Sequence, residues 1–190
     1  MFYDFSHRHA SCLLDGQPSK VILSRENRGG SLASKELAYN GVFAPDSPVK
    51  TGSHISADEA YFVLSVRPTA EADKYCSLLK INTKVEVQRW AALFDAEERH
   101  MGSDFLPVVA DVPAVAQFVT ARLRQDDAGL LPTTAYVLYV QNSVDVRRPQ
   151  DKDLTSPDRV LLNGRGYQVD AVDDIKVPGL LHVQLSEDVR

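Results

Sequence analysis

Residues 160–190 read VLLNGRGYQVDAVDDIKVPGLLHVQLSEDVR. Three apolar runs are separated there by Asn163–Gly164 and Pro178–Gly179. Asn-Gly between apolar runs is the signal of a two-residue hairpin turn, because both residues tolerate positive φ. Pro-Gly fits the two central positions of a tight turn. Residues 159–163, 166–172 and 180–185 are therefore expected to be strands of one meander. Tyr167, Val169, Ala171 and Val172 can load a core face. Val169 and Leu185 sit at strand centres and are expected to be buried.

Further strands are expected at 20–24, within LAYNGVF before Ala44, and at 60–67, 76–82, 84–90 and 133–141. In KVEVQRW, Val85, Val87 and Arg89 alternate with Glu86, Gln88 and Trp90, the period of a half-exposed sheet. Gly29 and Gly30 mark a loop. Residues 1–19 are expected to form an N-terminal arm, and residues 44–56 a long exposed loop. Residues 91–132 have a different texture. In DVPAVAQFVTARLRQDD, Asp111 is a candidate N-cap and Pro113 fits a first turn. Val112, Val115, Ala116, Val119 and Leu123 follow an i, i+3, i+4 stripe. The expected fold class is mainly β: one domain over 1–190, a small barrel or sandwich-like unit with an inserted α-helical element at 91–132.

The chain carries 44% hydrophobic and 25% charged residues, as folded proteins do. Its formal net charge of −5 disfavours simple coating of nucleic acid, which draws its affinity from Lys and Arg. An acidic wall past which DNA slides is compatible with it. Cys12 and Cys76 show no paired spacing and are expected to be reduced thiols. The first residues, MFYDFSHRHASC, lack the pattern of a signal peptide. No apolar run approaches the roughly 20 residues of a membrane helix. A soluble protein of cytoplasmic origin is expected, with no membrane partner.

Candidate chemistry is sparse. His7, His9 and Cys12 are metal-ligand types at close spacing, but no second cluster completes a zinc site. The Asp126/Asp127, Asp173/Asp174 and Glu97/Glu98 pairs are adjacent in sequence and read as turn and surface charges. Gly164 and Gly166 lack the third glycine and following helix of a phosphate-binding loop. No catalytic residue, cofactor or metal is assigned, and the chain is not expected to be an enzyme. Tyr61, Phe62, Tyr75, Trp90, Tyr136 and Tyr139 could stack on bases if the barrel were of the OB type.

The C-terminal pattern G-x-x-Y-x-V…D…P-G-x-x-x-V-x-L, carried by Gly164, Tyr167, Val169, Asp173, Pro178, Gly179, Val183 and Leu185, resembles the end of tailed-bacteriophage head–tail connector proteins of the head-completion, or stopper, type. The resemblance implies a structural virion protein of the phage neck. Such a protein forms a homo-oligomeric ring between portal or adaptor proteins and the tail. Viral DNA passes through it without sequence-specific binding. The implied location is the virion, assembled in host cytoplasm. The loop 44–56 is the candidate to project toward the lumen or a neighbour, with Asp46, Lys50, Gly52 and His54 as interaction residues. The alternatives are a tail-terminator, tail or baseplate component, an OB-like nucleic-acid-binding module, and a metal-dependent enzyme using His7, His9 and Cys12.

Overall fold

The computed structural model describes residues 2–26 and 36–190. The expected loop at Gly29 and Gly30 lies outside them. The chain divides into two compact units rather than the single domain expected. One comprises Met1–Asn82 with Ile175–Leu180, the other Thr83–Asp174 with Leu181–Arg190. Each holds a closed antiparallel barrel of six strands.

The first barrel is built from β1 (Ala10–Leu14), β2 (Gln17–Arg25), β3 (Ala38–Phe43), β4 (His54–Ser56), β5 (Ala60–Pro68) and β6 (Lys74–Lys80), in the order β1-β2-β3-β6-β5-β4. The N-terminal segment is not an arm. A 3-10 turn over Tyr3–Arg8 leads into β1, which pairs with both β2 and β4. Asp15 and Gly16, at φ 48° and 83°, make the two-residue turn that joins β1 to β2. Leu14, Val21, Phe43, Ile55, Tyr61, Val63, Cys76 and Leu78 fill the interior.

The second barrel contains β7 (Thr83–Phe94), β8 (His100–Phe118), β9 (Tyr136–Gln141), β10 (Arg159–Leu162), β11 (Arg165–Asp173) and β12 (Leu180–Glu187), ordered β10-β11-β12-β9-β8-β7. Asn163 and Gly164 take positive φ in the β10–β11 turn, as their residue types demand. Gly179 at φ 84° follows Pro178 in the turn before β12, and Leu180 N–H donates to the Val177 carbonyl at 3.0 Å. Val169 and Leu185 face each other in the β11–β12 register and are fully buried. Val85, Val87, Leu138, Val140, Val160 and Val183 complete much of the core.

The expected helical insertion is mostly strand. Only Ala121–Asp126 form an α-helix, α1, capped by Thr120, whose hydroxyl accepts from Leu123 N–H at 3.2 Å. Asp111 is not an N-cap. It lies at φ 56° in a bulge where Ala110 and Asp111 together oppose Glu86. The stripe begins beyond the bulge and runs off the strand: Val112, Val115 and Ala116 lie on β8, Val119 follows it, and Leu123 lies on α1. Val112 and Ala114 pack toward the core beside β7; Val115 and Ala116 then pair with Tyr139 and Leu138 of β9. The β-branched valines favour this extended conformation.

Candidate functional site, a two-stranded ribbon

The long β7–β8 hairpin outruns its barrel. Strand β10 pairs with β7 from Val85 to Gln88 only, and β9 pairs with β8 from Val115 to Phe118 only. From Arg89 to Phe94, β7 is bonded to His100–Leu106 of β8 alone. The outer edge of each strand in this ribbon is unpaired among the described residues.

Asp95 builds the tip. Its carboxylate accepts from the Glu97 and Arg99 N–H groups at 2.9 and 2.8 Å, and its own N–H donates to the Arg99 carbonyl. Glu98 takes the left-handed conformation at φ 59°. Apolar side chains flank this turn. Phe94 is 63% exposed and Met101 71%, with Leu93 and Leu106 also exposed. The Phe94 and His100 rings meet edge to face at 5.8 Å. Exposure of this kind on a ribbon with no covering layer is unusual, because two strands alone bury too little to be stable in water.

Two charge clusters hold the ribbon at its root. The Arg89 guanidinium donates through Nε and Nη2 to both oxygens of Asp158 at 2.9 Å, and through Nη1 to Asp145 at 2.9 Å. Asp158 has no exposed side-chain surface and also accepts from Arg147 N–H. These hydrogen bonds, first those to Asp158 and then those to Asp145, raise the Arg89 pKa further, and the bonds from Arg89 lower that of Asp145. The second cluster surrounds Phe105. Trp90 packs edge-on against it at 5.0 Å, and the Arg159 and Arg190 guanidiniums lie 3.9 and 4.9 Å from its ring centre. Asp188 bridges the two arginines at 2.7 and 2.8 Å. Burial pushes the Asp188 carboxyl up, but the hydrogen bonds from Arg190 and Arg159 outweigh it and hold the group at about 2.

The residues expected from sequence to make contacts lie elsewhere. The loop before β4 is packed onto the first barrel rather than standing free. Ser47, Val49, Gly52 and Ser53 are buried, and Gly52 N–H donates to the Val63 carbonyl of β5 at 2.8 Å. Asp46 and Lys50 are exposed, with the Tyr3 hydroxyl 3.5 Å from Asp46. Gly52, at φ 84°, meets Gly179 so closely that a Cβ would lie 2.6 Å from the Gly179 Cα. His54 N–H donates to Asp15 at 2.7 Å, and burial lowers its ring pKa despite the nearby Asp15 carboxylate.

His9 stacks on Phe2 at 4.1 Å and its Nε2 lies 2.9 Å from the Phe2 carbonyl, while the Cys12 thiol is turned into the barrel core. No cluster of three metal-ligating side chains occurs among the described residues. Tyr61, Phe62 and Tyr139 are buried and so withdrawn from base stacking. An open depression of about 640 Å³ beside β1 and β2 is lined by one charged side chain, Lys20. Among the described residues no helix is long and apolar enough to cross a membrane.

No family model matches the chain, and no curated protein matches it.

Sequence reasoning missed the ribbon because AALFDAEERHM, residues 91–101, reads as one or two turns of helix within the expected insertion. The legible signal was the pair Trp90-Ala-Ala-Leu-Phe94 and His100–Leu106, two segments of similar length around Asp95-Ala-Glu-Glu-Arg99. Neither segment contains lysine or proline, the residues that protect exposed edges.

Proposed function

We propose that this chain is a non-enzymatic structural protein that assembles into a ring, acting as a head–tail connector of the stopper type in the neck of a tailed phage. The observation that carries the reading is the ribbon: unpaired edges and exposed Phe94 and Met101 on an otherwise closed barrel, anchored by buried ion pairs. Such a surface suits contact with protein, since apolar side chains supply association energy and free backbone groups can accept a strand. The similarity of the C-terminal pattern to connector proteins supports the same reading. The acidic balance of −5 suits a ring through which DNA passes without being gripped. A tail-terminator, tail or baseplate role would use the same ring-forming contact at another level of the particle.

The test is electron microscopy of the concentrated purified protein, together with light scattering. Closed rings of cyclic symmetry are expected, and DNA should not be retained in a gel-shift assay. A protein that stays monomeric at millimolar concentration, or that binds single-stranded DNA tightly, would overturn the reading in favour of the OB-like module.

A further inference from the structure

Resting on the ring reading above, we infer that the ribbon's partner is the ribbon of a second copy. The outer edge of β7 (Arg89–Phe94) in one copy pairs antiparallel with the outer edge of β8 (His100–Leu106) in the next. Repetition around the ring closes the ribbons into a barrel to which every copy gives two strands.

Three observations select this occupant. Both barrels are closed, so the longest stretches of unpaired strand edge among the described residues belong to this one ribbon. The two edges run in opposite directions, as neighbours in an up-and-down barrel must. They are also compatible in charge. The β7 edge carries Arg89 and no carboxylate, and the β8 edge carries Asp104 and no Lys or Arg, so the charges are complementary at whatever stagger closure of the barrel imposes. A two-fold pairing of like edges would satisfy one edge per copy and leave the other open. The head-to-tail arrangement uses both edges and ends with none exposed. It also stacks the otherwise uncovered Phe94 and Met101 beside their counterparts in adjacent copies.

The experiment uses two full-length variants, Ala91→Cys and Asp104→Cys, each carrying one new thiol. Neither can form the cross-strand disulfide within its own chain. After mixing and mild oxidation, linked peptides are identified by mass spectrometry. The expected product is the mixed 91–104 disulfide, in several-fold excess over 91–91 and 104–104. Predominance of the 91–91 or 104–104 link would replace the head-to-tail pairing with a two-fold one and overturn the inference. A third variant has residues 90–105 replaced by a short turn. Rings that persist in it, with no mixed disulfide in the first experiment, would refute the ribbon contact and leave the ring standing. Wild-type protein that forms no oligomer would refute both.

Discussion

Removing the Arg89 guanidinium tests how the ribbon is held. Arg89→Ala leaves Asp158, whose side chain is fully buried, with a charge facing no cation and only the Arg147 N–H as a hydrogen-bond donor. Breaking one side of a buried ion pair costs about 3–5 kcal/mol, because the remaining charge keeps its desolvation cost. Asp145 provides the internal comparison. It contacts the same guanidinium at the same 2.9 Å, but its side chain is 53% exposed. Asp145→Ala should therefore cost about 0–1 kcal/mol, as exposed pairs do. The assay is urea unfolding followed by fluorescence of Trp90, the chain's one tryptophan, which lies next to Arg89 in the second unit. Because the two units can unfold in separate steps, only the transition reported by Trp90 is compared. Arg89→Ala combined with Asp158→Asn should recover part of the loss, since the second change removes the orphaned charge. Equal and small effects of Arg89→Ala and Asp145→Ala would refute the claim that the buried Asp158 pair anchors the ribbon.

Leu185→Ala should destabilise the second unit by about 2–4 kcal/mol in the same assay, given its complete burial opposite Val169. Gly52→Ala should cost about 2–4 kcal/mol in thermal unfolding, because the new methyl meets the Gly179 backbone at a positive φ that alanine resists; a neutral effect would show that the Thr51–Gly52 turn can move away. Asp188 contributes stability that is fully present above its unfolded pKa, near 4, and lost as pH falls through about 2. Urea midpoints of wild type and Asp188→Asn should accordingly differ at about pH 5 and converge toward about pH 2; a constant difference would show that Asp188 acts through packing alone.

Much of the second barrel was legible because its residues had little choice. Asn163–Gly164 demands positive φ, Pro178–Gly179 demands a turn, and buried positions alternate at Val85 and Val87 on β7 and at Tyr167 and Val169 on β11. The first barrel was harder. Its turn residues Asp15–Gly16 carry the same hairpin signal, but β1 is five residues long and reads as part of a polar N-terminus. The loop before β4 looked exposed because its prolines and glycines lack apolar area. Its inner residues are held by backbone hydrogen bonds, a glycine–glycine approach and the single core side chain of Val49, which is too little to leave a hydrophobic pattern. The ribbon was obscured for a different reason. Residues 91–101 are mostly good helix formers, and a bulge at Met101, between the pairs Leu93–Gly102 and Phe94–His100, breaks the two-residue alternation there. Periodicity reports faces only while the register is regular.

The placement of Ile175–Leu180 with the first unit constrains how this gene can be rearranged. A recombination event with one breakpoint between Asn82 and Thr83 would deliver a second barrel still carrying Gly179, but without the Gly52 against which that glycine is fitted. The donor's first barrel would in turn lose its six-residue piece. The two barrels are thus inherited as a set, and change at residue 52 is tied to change at residue 179 although 127 positions separate them. Lineages that diverge in one of these glycines should carry a matching alteration at the other, a pattern that sequencing of related genes can read directly.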